Sequence, residues 1–281
     1  MTRAVLVVVG AGGMGAALAH RMGAGRHILV ADCSDEALKT VGSQLHDDGH
    51  LVSTKAVDIT DRRSVAALAD CAAEIGPVTA VAHTAGVSPA GASVSAIFAV
   101  DLVGTAHIVD EFARAIAPGG AGVVVASMAA AILGSGQSPD TEAQLAQSPP
   151  ERLLEISAVR DLLGSDTTEN RSLAYGLAKR GNQLRVQAAA ARWGAAGARI
   201  NSISPGVIST EMGRAEMTDG TTGAVVEAMV AGSPSQRVGT PGDVAAVAEF
   251  LFGSGSSFVT GTDVLVDGGV VAAMRYGIPT A

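Results

Sequence analysis

The chain reads as an α/β protein, a doubly wound parallel sheet of about seven strands with helices on both faces. Three observations predict this. Apolar runs of strand length alternate with stretches of helical periodicity along most of the 281 residues, the pattern left by strands joined through crossover helices. Aromatics make up only 3% of the chain while Ala, Val and Gly abound, which suits helices packed closely on short, β-branched strands. The first apolar run leads directly into Gly10-Ala11-Gly12-Gly13-Met14-Gly15, where a dinucleotide fold places its glycine turn. The length fits one domain over 1–281 more easily than two.

Element by element, the apolar runs predict strands at 4–9, 27–31, 51–57, 78–83, 122–126, 198–203 and 263–266. Helical periodicity falls at about 14–22, 35–46, 62–75, 96–116, 173–193, 211–231 and 242–252. The alternation breaks once, between Ser127 and Tyr175. Residues 134–170 hold seven acids against Arg152 and Arg160, so this insertion carries five of the eight net negative charges. Ser148-Pro149-Pro150-Glu151 predicts a helix start there. Leu153, Ile156, Val159 and Leu163 follow at helical spacing, with Gly164 as the stop. The insertion is either a solvated flap with one docked helix or a lid over substrate.

The formal charge of -8 and the lack of clustered Lys and Arg argue against a nucleic-acid partner. Cys33 and Cys71 have no paired spacing, so neither a disulfide framework nor a zinc site is expected, and a reducing cytoplasm fits. The run at 4–9 is too short to span a bilayer and lacks a cleavage pattern, so no membrane partner is expected. The six histidines show no metal-ligand spacing, and no metal is expected.

Gly10, Gly12 and Gly15 satisfy G-x-G-x-x-G between a strand and a helix, with Gly13 and Met14 in the same turn. Such a turn brings a pyrophosphate against N–H groups at a helix N-terminus. Asp32 ends the second strand, with Cys33 beside it. A carboxylate there accepts from both ribose hydroxyls and repels a 2′-phosphate, which selects NAD over NADP. The competing role for Asp32 is a helix cap. Arg21 and Arg26 do not follow the second strand and are poorly placed for a 2′-phosphate.

Tyr175 and Lys179, four residues apart on a predicted helix, share one face, so the ammonium can hold the phenol near its ionised form. Tyr175 then moves a proton to or from a substrate oxygen, and Ser127 at a strand end fixes that oxygen.

Taken in order, these motifs resemble the short-chain dehydrogenase/reductase family of Rossmann-like oxidoreductases. The resemblance implies that Ser127, Tyr175 and Lys179 are catalytic. It implies further that Asp58 and Ile59 meet the adenine, and that His83-Thr84-Ala85-Gly86 replaces the family's Asn-Asn-Ala-Gly, with Thr84, Ala85 and Gly86 at the cofactor. Pro205, Gly206, Ile208 and Thr210 match the segment that meets the nicotinamide, where Tyr175 and Lys179 also reach the cofactor. The family commonly forms a homodimer or homotetramer through the helices at 96–116 and 173–193.

Three departures stand out. The glycine loop is one residue short and has Val9 where threonine is common. Asp101 stands where the family has a proton-relay asparagine, so it is either a relay member or a structural bond to backbone. The stretch before Tyr175 is long, as in the 3α-hydroxysteroid dehydrogenase/carbonyl reductase branch. A flexible substrate loop is expected at 211–236, where Met212, Met217 and Met229 either line an apolar pocket or fill helix cores. The function expected is hydride exchange between NAD and a secondary alcohol or ketone, steroid-like or otherwise apolar. The alternatives are an NAD sensor without turnover and, with less support, a sugar-nucleotide epimerase.

Overall fold

A computed structural model describes residues 3–218, 220 and 222–277. Seven parallel strands form one sheet: β1 (Val5–Val9), β2 (His27–Asp32), β3 (Leu51–Ala56), β4 (Val78–His83), β5 (Ile116–Val125), β6 (Arg199–Pro205) and β7 (Asp263–Val266), in the order β3-β2-β1-β4-β5-β6-β7. Every strand pair is parallel, as in Val5 opposite His27 and Ser202 opposite Asp263. Parallel neighbours need a crossover between them, and the helices supply it. These are α1 (Gly13–Met22), α2 (Asp35–Asp47), α3 (Arg62–Ile75), α4 (Val94–Ile97), α5 (Thr105–Ala115), α6 (Ala129–Ile132), α7 (Pro139–Gln147), α8 (Ser157–Leu163), α9 (Thr168–Ala195), α10 (Glu211–Thr218), α11 (Gly223–Ala231), α12 (Pro241–Phe252) and α13 (Val270–Tyr276).

Val5 to Val9 is fully buried because helices cover both faces of the sheet. One face packs α1, α2 and α12 through Leu18, Leu38, Leu45 and Val244. The other packs α3, α5 and α9 through Leu68, Phe112, Val186 and Trp193. The order reverses between β1 and β4, whose connections leave in opposite directions and open a crevice at the strands' carboxyl ends.

Several segments differ from the sequence expectation, and α13 has no counterpart in it. The helix expected over 96–116 is interrupted by a wide π-helical turn, Phe98–Gly104, and β5 starts at Ile116 rather than 122. Gly119, at φ +80°, lets the chain bend inside that longer strand. The helix expected over 211–231 is two, and Asp219 and Thr221 in that substrate loop lie outside the described residues. Gly220 and Gly223 fall at the break, where helix propensity is poor.

In the insertion, Ser148 ends α7 instead of starting a helix, because Pro150 holds Pro149 in extended backbone (φ -53°, ψ 145°). The helix start lies ten residues earlier, where the Ser138 hydroxyl accepts from the Thr141 N–H at 3.1 Å and Pro139 opens α7. After a short 3₁₀ turn, Pro150–Glu155, extended Ile156 leads into α8. Leu153, Ile156 and Val159 nevertheless face inward as their spacing predicts, in a third core with Phe98, Leu102, Leu145 and Leu177.

Candidate active site

The crevice between β1 and β4 is a cleft of roughly 550 Å³. Its floor is the glycine turn. Gly10 has φ +104°, and a Cβ there would lie 2.5 Å from the Ala85 N. A Cβ on Gly15 would lie 1.9 Å from the Gly10 carbonyl oxygen, so both positions require glycine. Gly12 has no atom within 4 Å of its Cβ position and stays open. Gly12 also caps α1, which has no side-chain cap and no acid in its first turn. Its first N–H groups are thus free to receive an anion at the positive end of the helix dipole.

Gly10, Gly12, Gly13, Met14, Gly15, Asp32, Cys33, Asp58, Ile59, Thr84, Ala85, Gly86 and Thr210 all line this cleft. Asp32 Oδ2 accepts from the Ala11 N–H at 2.7 Å and Oδ1 from the Ser34 N–H at 2.9 Å. Ser34, not Asp32, caps α2, so the capping reading of Asp32 fails. Each Asp32 oxygen keeps a further lone pair for a ligand. Asp58 Oδ1 is engaged by the N–H and hydroxyl of Thr60. Burial and the neighbouring Asp32 carboxylate push the Cys33 thiol up, away from a reactive thiolate.

Pro205, Gly206, Ile208, Tyr175 and Lys179 are not among the lining residues. Pro205 is the buried end of β6, and Gly206 lies against Asp267. The Ile208 side chain is packed in the core on the α1 and α12 face, so any contact it makes with a cofactor is through backbone.

Behind Gly86 lies the polar centre. Lys179, 4% exposed, stands 3.4 Å from Oδ1 of Asp101, which is fully buried. The wide turn before α5 carries Asp101 into this position. Its Oδ1 also accepts from the Val87 N–H at 3.1 Å, while Oδ2 is buried without a partner. One oxygen thus carries both the backbone bond and the link to the lysine. Glycine is required at 86 because a Cβ there would lie 2.6 Å from Asp101 Oδ1 and 3.2 Å from Lys179 Nζ.

Lys179 Nζ is 5.4 Å from the centre of the Tyr175 ring, and Ser127 lies close enough to the phenol to favour its ionised form. Ser127 sits just past β5, its Oγ accepting from the Ala129 N–H at 3.1 Å. Burial of Lys179 works against its charge, but Asp101 and Tyr175 outweigh it and hold the ammonium above its usual range. Burial raises the Asp101 carboxyl against the pull of Lys179.

The phenol corrects the simplest expectation. Burial pushes Tyr175 up, Lys179 pulls it down, and Asp101 and Glu216 push it up again, so the net direction is upward. The lysine's field is partly cancelled by its own partner. Glu216 was not legible as a site residue in the sequence; nor was Ser88, whose hydroxyl it meets at 2.5 Å.

His83 is buried and bonded to Thr105 Oγ1 at 3.0 Å, and the Thr105 hydroxyl donates to the Asp101 carbonyl oxygen. The insertion reaches none of the cleft lining. It docks on α9, where Arg180 pairs with Glu142 and Arg185 donates to the carbonyls of Leu145 and Ser148.

A family model described as short chain dehydrogenase matches residues 3–139, and one described as enoyl-(acyl carrier protein) reductase matches 153–271. The short-chain dehydrogenase/reductase bsc3 of Alternaria brassicicola is 40% identical over 272 residues, covering 97% of each chain. The chain belongs to the short-chain dehydrogenase/reductase family. Within this family, the 3-alpha-hydroxysteroid dehydrogenase/carbonyl reductase of Comamonas testosteroni is 27% identical over 88% of this chain and 97% of its own. Among solved structures, the 3-alpha-hydroxysteroid dehydrogenase of Pseudomonas sp. B-0831 complexed with NADH superposes with a TM-score of 0.77 at 26% identity, covering 98% of this chain and all of that one. No helix of the described residues is long and apolar enough to cross a membrane.

Proposed function

We propose that this chain is an NAD-dependent oxidoreductase that interconverts a secondary alcohol and its ketone. The observation that carries the reading is the clustering of Tyr175, Lys179 and Ser127 behind a cleft with an open glycine cradle. When bound, a nicotinamide ring supplies the hydride acceptor or donor. The residues around the cleft fit such a dinucleotide: the α1 N-terminus at Gly12 for the pyrophosphate, Asp32 for the adenosine ribose, and Asp58 and Ile59 at the far rim for the adenine.

Tyr175 takes the carbinol proton in oxidation and gives it back to the carbonyl oxygen in reduction. Ser127 donates to the same oxygen and fixes it beside the phenol. Lys179 stays charged and lowers the cost of the phenolate. Asp101 acts on this chemistry through Lys179 rather than by touching substrate. Pro205, Gly206, Ile208 and Thr210 are assigned to the nicotinamide end on the family pattern, Ile208 through its backbone.

The preference for NAD over NADP rests on Asp32, whose carboxylate repels a 2′-phosphate. We further propose a homodimer or homotetramer in the cytoplasm, assembled without the strip of α9 at Gly181 and Arg185 that α7 covers. A sensor without turnover has no observation in its favour once Ser127, Tyr175 and Lys179 cluster, and an epimerase gains none.

The test is hydride transfer to NAD and to NADP from a panel of secondary alcohols. Tyr175→Phe is expected to lower kcat/KM by about 10²–10⁴-fold. Asp32→Ala is expected to shift the ratio of NAD to NADP use toward NADP by about tenfold or more. Cofactor binding without turnover across the panel would favour the sensor, and a wild-type preference for NADP would overturn the assignment of Asp32.

A further inference from the structure

Helix α10 presents Met212 and Ala215 to the cleft, and Glu216 lies four residues from the first and next to the second, on the same face. The Glu216 side chain is half-buried; neither it nor Ser88 lines the cleft, but each follows residues that do. Its Oε1 meets the Ser88 hydroxyl at 2.5 Å. Ser88 follows cleft-lining Gly86 and Val87, and Gly86 touches the Asp101–Lys179 pair. The carboxylate is also close enough to Tyr175 to push the phenol up. Among the described residues, only the Ser88 side chain bonds this carboxylate, and through one oxygen. A carboxylate has about four acceptor positions, so most of its capacity is left for a ligand between α10 and the phenol.

We infer that Glu216 determines specificity: its carboxylate accepts a hydrogen bond from a second donor group, a hydroxyl or an amine, carried by the substrate near the reacting carbinol. The same charge disfavours substrates that bear a carboxylate in that place. The inference rests on the oxidoreductase reading and adds a substrate class to it, alcohols with a neighbouring donor. The apolar lining contributed by Val87, Met212 and Ala215 suits a carbon skeleton, and Glu216, adjacent to Ala215, would supply a polar end beside it. Sequence spacing alone gave Glu216 no role, because its partner Ser88 lies 128 residues away.

The experiment compares kcat/KM for cyclohexanol, cis-1,2-cyclohexanediol, 2-aminocyclohexanol and 3-hydroxycyclohexanecarboxylate at one pH, in wild type, Glu216→Gln and Glu216→Lys. Each value is taken relative to cyclohexanol within the same enzyme, which cancels any change in the basicity of Tyr175. Wild type is expected to favour the diol or the amino alcohol over cyclohexanol and to use the carboxylate least. Whichever of the two leads identifies the donor as hydroxyl or amine.

Glu216→Gln, nearly isosteric, is expected to reduce that preference by about tenfold, since a charge-assisted bond becomes a neutral one. Glu216→Lys is expected to make the carboxylate the preferred partner. Ratios that stay the same in all three enzymes overturn the role of Glu216 and leave it a latch on Ser88. Turnover of none of the four alcohols in wild type overturns the oxidoreductase reading, and this inference with it.

Discussion

Replacing Asp101 by Asn tests how the buried pair sets the chemistry. Lys179 Nζ lies 5.4 Å from the Tyr175 ring centre, so at an effective dielectric constant of about 20 its charge favours a phenolate by about 3 kcal/mol. Asp101 Oδ1 is 3.4 Å from the same ammonium. The two separations place that oxygen within about 9 Å of the ring, so its charge opposes the phenolate by about 2 kcal/mol or more. Asn keeps an oxygen for Lys179 and for the Val87 N–H but removes the charge. At about 1.4 kcal/mol per pH unit, the limb on which oxidation rises with pH is expected to move down by about 1.4 units or more in Asp101→Asn.

The sign follows from the role of the phenol. Oxidation needs it ionised, so easing ionisation moves the rising limb of kcat/KM to lower pH, and the acid-side plateau for reduction ends earlier by the same amount. The assay is a pH profile of kcat/KM for both directions in wild type and variant. An unmoved limb would refute the argument that Asp101 acts through the field at Tyr175, and a limb moved upward would show that it supports Lys179 more than it cancels it.

Gly15→Ala puts a methyl 1.9 Å from the Gly10 carbonyl oxygen, and the turn is expected to distort, weakening cofactor affinity by at least about tenfold with a lower melting temperature, read by titration and thermal melts. His83, buried against Thr105, is pushed down to about 3 by burial and by Lys179. Because its folded value lies below the ordinary 6.5, only the unfolded chain takes up the proton between those limits. Stability is therefore expected to fall as pH drops from about 6.5 toward 3, by up to about 1.4 kcal/mol per unit from this group. Urea titrations across that range should show a shallower slope in His83→Asn. Leu145, fully buried over α9, anchors the insertion, so Leu145→Ala is expected to cost about 2–5 kcal/mol in denaturant unfolding, without a change in the pH profile of turnover.

Strands and most helices were legible because a sheet covered on both faces writes itself as uninterrupted apolar runs, as at Val5 to Val9. The glycine turn, Asp32 and the Tyr175–Lys179 spacing were legible for a similar reason, since each is local in sequence. What escaped were competitions among local signals and contacts made at long range. Ser138-Pro139 and Ser148-Pro149 offer the same cap, and only the second proline at 150 decides between them by forbidding helix at 149. The wide turn at Phe98–Gly104 left no mark in the periodicity, yet it aims Asp101 at a lysine 78 residues away.

The same limit bears on the phenol. Four-residue spacing exposes the cation that favours Tyr175 ionisation, whereas Asp101 and Glu216, which oppose it, come from separate parts of the chain. Burial adds to that opposition. Burial first, and then the two carboxylates, push the phenol above its ordinary range in the protein alone, toward the form that donates a proton to a ketone. A catalyst speeds both directions equally at equilibrium, so these carboxylates do not choose the product; they choose the pH at which each direction is fastest. Two acids flanking one tyrosine move both limbs to higher pH together, so reduction persists further from the acid side and oxidation is delayed until the solution is more alkaline. In Asp101→Asn and in Glu216→Gln both optima should shift acidward, and the double variant should shift by more than either single change if the two charges act independently on Tyr175.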